Sequence, residues 1–157
     1  TMSTRFVVPE VSSIVSLLDV VIGPGLTASE GNGGGADDFH VATYIDDNDQ
    51  LVAVGAADPA FVFYAGAALS MIPAAAANDM LSEGPPNETI AANFYEVMNI
   101  CSRLLMTEKD DVHLRLDKTL SGAEAQSATA ALASATQVSF DLKVLQYGAG
   151  KLMFAVT

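Results

Sequence analysis

The chain has 157 residues, 7 of them basic and 19 acidic, for a formal net charge of −12. That length suits one domain or two small fused halves, and an apolar half rich in alanine is enough to close a core around helices and a sheet, which excludes wholesale disorder. With so few cations there is no basic face to displace counterions from nucleic acid, and binding to anionic lipid is disfavoured for the same reason.

The opening residues lead into Pro9 and Glu10 with no signal-peptide pattern, so a cytoplasmic location is expected. From 9 to 22 the apolar residues Val11, Ile14, Val15, Leu18 and Val21 or Ile22 recur at helical spacing, and Gly23-Pro24-Gly25 stops the helix. The stretch 29–38, with glycines at 31 and 33–35, is expected as a solvated connector; it lacks the lysine and preceding strand of a phosphate-binding loop. Phe39, Val41 and Ile45 then alternate with His40, Ala42 and Tyr44, predicting a strand, and 51–57 predicts a second, more buried one. The acidic tetrad 46–49 between them lacks the glycine and glutamate of a calcium-binding loop, so a hairpin turn is expected.

The run 59–77 carries no charge and approaches the length of a membrane span. Alanine drives insertion weakly, Pro73 interrupts the run, and Asp58 and Asp79 flank it where cations would be expected. It therefore reads as a buried helix ending near Pro73, followed by a short helix over 74–82. After Gly84-Pro85-Pro86, Asn87 stands as an N-cap with Glu88 in the first turn, and the longest helix runs to about Thr107. A strand with one wet face follows through Val112, Leu114 and Leu116. The small-residue stretch 122–135 is either a weak helix or an excursion. A closing hairpin has strands through Val138–Val144 and Leu152–Val156, with its turn at Gly148-Ala149-Gly150. The C-terminal strand is expected at a sheet edge. This order, in which a helix and then a hairpin occur twice, predicts an α+β fold: an antiparallel or mixed sheet with helices packed on it, in one domain spanning 1–157.

Candidate residues for chemistry are few. Cys101 cannot form an internal disulfide, falls in an apolar stripe and reads as a small buried hydrophobe; no Cys/His cluster offers a metal site. His40 and His113 are expected on the wet sides of their strands. On the long helix Ile90, Phe94, Val97, Met98, Cys101, Leu104 and Leu105 form the stripe that packs on the sheet, and at about 100° per residue the opposite side holds Ala92, Glu96, Asn99 and Arg103. Glu96 and Asn99 stand one turn apart, and between Thr89 and Thr107 the only charges are Glu96 and Arg103, which cancel.

Glu96-Val97-Met98-Asn99 resembles the E-x-x-N signature of the CheC/CheX family of chemotaxis phosphatases. The order of elements from Val41 to Arg103 and the closing hairpin extend the resemblance. The first helix carries Glu10-Val11-Ser12-Ser13, with serine in place of a second motif's asparagine, so the chain resembles the single-site CheX branch. The resemblance implies a CheC/CheX-like pseudo-repeat and a homodimer. It further implies hydrolysis of the phosphoaspartate of a CheY-like response regulator. Asn99 would hold the attacking water and Glu96 would pair with the regulator's lysine. On the same solvent side, Ala92 leaves low relief as a partner-binding position, and Arg103 is expected either as a surface partner of Glu96 and Asn99 or as a contact to an acidic regulator. The Mg²⁺ would sit on the regulator, with no cofactor on this chain. The alternative is a non-catalytic module of the same fold that binds a signalling partner or dimerises.

Overall fold

The computed structural model describes residues 6–31, 38–107, 112–133 and 135–157. Residues 32–37 of the expected glycine-rich connector, and the charge run 108–111, lie outside them. In chain order the elements are α1 (Val11–Ile22), β1 (Thr27–Glu30), β2 (His40–Asp46), β3 (Leu51–Ala57), α2 (Pro59–Leu69), α3 (Ala74–Glu83), α4 (Glu88–Cys101) continuing as a 3-10 turn (Ser102–Leu105), β4 (Leu114–Leu120), α5 (Gly122–Ala131), β5 (Thr136–Val144) and β6 (Gly148–Val156).

All six strands join one sheet in the order β1-β5-β6-β3-β2-β4, and every neighbouring pair is antiparallel. Counted by place within the segments α1-β1-β2-β3 and α4-β4-β5-β6, the order reads first-second-third-third-second-first from either end. β6 and β3 form the centre, β5 and β2 flank them, and β1 and β4 are the edges, each preceded by a helix, α1 or α4. The segments α1-β1-β2-β3 and α4-β4-β5-β6 thus occupy equivalent places, which is the pseudo-repeat that the order of elements predicts.

Two layers of side chains cover the sheet. On one face Ala42, Tyr44, Phe140, Leu142, Leu152 and Phe154 join residues of α1, α2 and α4 in the main core. On the other, Val41, Val54, Ala56 and Ala155 lie under Ala125 and Leu132 of the α5 segment. α5 is built mostly from alanine, serine, threonine and other small or polar residues (GAEAQSATAA), and so fills its side of the sheet incompletely. A cavity of about 370 Å³ remains there, lined among others by Phe39, Val41, Met153 and Ala130.

Helix α2 is buried continuously from Phe61 to Ala67, as a helix apolar on every side must be. Asp58 fixes its start: one carboxylate oxygen accepts the N–H of Phe61 at 2.9 Å and that of Lys151 in β6 at 3.0 Å. Beneath it a Cβ on Gly150 would lie 2.8 Å from Phe61 Cβ and 2.9 Å from Phe61 N, and a Cβ on Gly148 would lie 2.9 Å from the Tyr64 ring. No helix among the described residues is long and apolar enough to cross a membrane.

Several expectations are corrected. The β5–β6 turn is made by residues 145–147, with Gln146 at φ 71°, and the glycines expected to turn the chain lie within β6, where they admit α2. The C-terminal strand is not an edge, since β6 sits between β5 and β3. Ser29 and Glu30, expected in a connector, belong to β1, and Gly31 continues that pairing by donating to the Ser139 carbonyl at 2.8 Å. The stretch 122–135 contains a helix, α5. The tetrad 46–49 is the expected turn: the buried Asp46 accepts the N–H groups of Asn48 and Gln50, and Asp49 pairs with Arg115 at 2.9 Å. Both edges resist pairing. β1 is four residues long, and β4 presents Asp117 and Lys118 beside a register shift opposite Thr43 and Tyr44.

The core encloses two neutral acids. Burial pushes the Cys101 thiol up to about 12, and burial, then the neighbouring Cys101, holds the Tyr44 hydroxyl well above its ordinary value. Both stay protonated in the fold, whereas in the unfolded chain they ionise from 9.0 and 10.0 upward. Their contribution to stability is therefore complete below pH 9 and declines above it, by at most about 1.4 kcal/mol per pH unit per group. Denaturant midpoints at a series of pH values should show this fall, and Cys101→Ala should remove the part that begins nearest pH 9. Gly150→Ala should destabilise by about 2–3 kcal/mol or more, because the added methyl meets helix backbone that cannot rotate aside; an unchanged midpoint would show that α2 is not seated on this strand.

Candidate functional site

Helix α4 begins where Asn87 accepts the N–H of Ile90 at 2.9 Å, with Glu88 favourably placed in the first turn. Ile90, Phe94, Val97, Met98 and Cys101 are buried, each large side chain contributing about 1.5–3 kcal/mol, and they define which face remains for solvent. The α-helix ends at Cys101, earlier than the expected Thr107, and tightens into the 3-10 turn, so Arg103 lies in that turn.

Rotation of α4 about its axis is set by its contact with α2. The Asn93 side-chain amide donates to the Gly66 carbonyl at 2.8 Å and to the Ser70 hydroxyl at 2.6 Å. A Cβ on Gly66 would stand 3.2 Å from the Ile90 carbonyl oxygen, so the two helices approach closely at this point. With Asn93 clamped against α2, the following turn brings Glu96 clear of the protein.

Glu96 and Asn99 are both exposed, as are Ala92 and Arg103, and Tyr95 beside them is 39% exposed. All four residues expected on the solvent side are therefore exposed, Ala92, Glu96 and Asn99 on α4 itself and Arg103 in the 3-10 turn that follows it. Neither the Glu96 carboxylate nor the Asn99 amide hydrogen-bonds another described residue, which leaves both available to an incoming molecule. The backbone beneath Asn99 is held firmly. Its carbonyl accepts the Ser102 hydroxyl at 2.6 Å and also the Ser102 N–H, and the carbonyl of Met98 accepts the Tyr44 hydroxyl at 2.6 Å inside the core.

Other candidates resolve differently. Cys101 is fully buried, as its place in the stripe predicts, and its raised pKa makes it a poor nucleophile. His113 is exposed. His40, expected on a wet face, is half-buried: its ring meets Phe94 of α4 edge-on, with centroids 6.4 Å apart. Burial lowers its pKa, partly opposed by Asp38. The correction follows from the position of β2 inside the sheet, with helices over both faces, where alternation does not separate wet from dry. No group of three or more His, Cys, Asp or Glu among the described residues could hold a metal. Asn93, Tyr44 and Ser102, which position the helix and its asparagine, do not stand out in the sequence, because their partners lie across the fold or in the backbone.

No family model and no curated protein matches this chain. Solved structures do. FliY from Thermotoga maritima matches with a TM-score of 0.51 and 11% identity, over 92% of this chain and 82% of that one. The FliM middle domain from Vibrio alginolyticus matches with a TM-score of 0.50 and 10% identity, over 93% of this chain and 87% of that one. The chemotaxis protein CheX from Desulfovibrio desulfuricans is also among the similar structures, with a TM-score of 0.46 and 10% identity over 94% of this chain and 95% of that one. At such identities the likeness is one of architecture: this chain has the α+β fold that FliY and the FliM middle domain share.

Proposed function

We propose that this chain is a CheX-like phosphatase that removes the phosphoryl group from the aspartate of a CheY-like response regulator, with Glu96 and Asn99 as the working pair. The observation that carries the reading is their joint exposure, one turn apart and unengaged by other described residues, on a helix face whose orientation is fixed by buried contacts.

The chemistry suits such a spare site. Hydrolysis of an acyl phosphate passes through a loose transition state, which calls for an aligned water and stabilised charge more than for a strong base. The Asn99 amide can donate and accept at once, and so can hold a water in line with phosphorus. The Glu96 carboxylate would pair with the regulator's active-site lysine, registering one surface on the other, and Ala92 leaves room for approach. Arg103 would meet the acidic rim of the regulator. The regulator supplies the phosphoaspartate and the Mg²⁺.

Charge is consistent with this docking. A chain of net charge −12 approaching an acidic pocket is repelled at long range, but the segment from Thr89 to Thr107, which holds all of α4 after Glu88 and its 3-10 turn, carries only Glu96 and Arg103 and is locally neutral. On this reading the chain works in the cytoplasm, where response regulators are found, and forms the homodimer that the resemblance implies. Sedimentation equilibrium should then give twice 16.3 kDa, and a monomer at micromolar concentration would remove the dimer from the reading.

The activity is tested by charging regulators from the same cell with a small-molecule phosphodonor and following phosphate release. Wild-type protein should accelerate loss of phosphate, Asn99→Ala should lower the rate about 100-fold, and Glu96→Ala should chiefly raise the regulator concentration needed for half-maximal rate. No acceleration with any regulator, or an Asn99→Ala variant as fast as wild type, defeats the proposal; binding without acceleration would leave a partner-binding module.

A further inference from the structure

We propose that Tyr44 and Ser102 are positioning residues for Asn99, each hydroxyl anchoring one of the two peptide planes that flank the Asn99 Cα. The inference rests on the phosphatase reading and deepens it.

The last four carbonyls of an α-helix have no partner within the helix. In a continued α-helix the Met98 carbonyl would accept the N–H of Ser102. Here that N–H reaches Asn99 instead, the chain tightens into the 3-10 turn, and the Met98 carbonyl is left facing the sheet. Tyr44, fully buried on β2, donates its hydroxyl to that carbonyl at 2.6 Å. The carbonyl belongs to the peptide unit joining Met98 to Asn99. The next unit, joining Asn99 to Ile100, presents the Asn99 carbonyl, which accepts both donors of Ser102.

Fixing both planes fixes φ and ψ at Asn99 and with them the direction of its Cα–Cβ bond. A helix end of this kind, unanchored, frays within its last turn. Asn99 stands two residues from the end of α4, where fraying would let the amide wander while Glu96, a turn earlier, stayed in place. Water must be aligned to within a fraction of an ångström for in-line attack, so the loss should fall on the chemical step and not on docking. Tyr44 is suited to the task because it stands on a strand paired on both sides, by β3 and by β4, so that the sheet sets the height of the helix end.

The test measures phosphate release from one phosphorylated regulator over a range of its concentration, using wild type, Y44F, S102A and S102T, each checked for a melting temperature above that of the assay. Y44F keeps the ring and loses only the donor. S102A loses the second anchor at the surface, and S102T keeps a hydroxyl. Y44F and S102A should each lower the saturated rate about tenfold with the half-saturating concentration unchanged, and S102T should restore the rate lost in S102A. Hydrogen exchange at the Ser102 amide should quicken in Y44F. Should wild type be active while Y44F and S102A match it, or lose only apparent affinity, or should S102T be as slow as S102A, the inference is overturned and the phosphatase reading stands. A wild type without activity on any regulator overturns both.

Discussion

The close seating of α2 is the constraint on which the remaining architecture depends. A helix buried from Phe61 to Ala67 has no side to offer water, so it must be enclosed by sheet, by flanking helices and by the chain above it. Gly150 lets it descend on β6, Gly66 lets α4 close against it, and Asp58 joins its first turn to Lys151. Tyr64 reaches Asn78 of α3 at 2.7 Å, and the Ile72 carbonyl just past its end accepts the Tyr147 hydroxyl at 2.5 Å. The seat of α4 is thus decided by a neighbour that carries no candidate chemistry. Raising α2 by the depth of a methyl group would shift the Asn93 contact and turn the Glu96–Asn99 face.

Among the described residues the candidate site holds no metal-ligand cluster, and its members are a carboxylate, an amide and a cation on an exposed helix. On the phosphatase reading proposed above, the partner would bring the acyl phosphate and its metal, and this chain would add one oriented water. Electrostatics agree, because most of the negative charge lies away from α4, and acidic groups such as Asp46 and Asp58 are committed to turns and caps.

Much of the fold was legible because it is written locally. The stripe on α4, the caps at Asn87 and Asp58, the turn at 46–49 and the uncharged run as two helices all follow from spacings within a few residues. What escaped is set by distant partners. β1 reads Thr-Ala-Ser-Glu, with no apolar alternation, and is a strand because β5 offers it a free edge. Gly148 and Gly150 look like a turn until α2 is placed above them. His40 alternates as a surface residue would, yet α4 covers it. The placement of β6 in the middle of the sheet is a property of topology, which no local window contains. The site divides in the same way: helical periodicity puts Glu96 and Asn99 on one face, whereas the roles of Asn93 and Tyr44 need partners 23 to 54 residues away.

The palindromic strand order makes α1 the topological counterpart of α4. On α1 the exposed positions are Ser12, Ser13, Ser16 and Val20, with Glu10 at its cap, so the counterpart has no carboxylate–amide pair in its body. Of these two helices, among the described residues α4 alone presents an exposed carboxylate–amide pair one turn apart. The consequence is one of stoichiometry: a protein that recognises the Glu96–Asn99 face finds one such face per chain, and α1 is left free to change its sequence at little cost to that recognition.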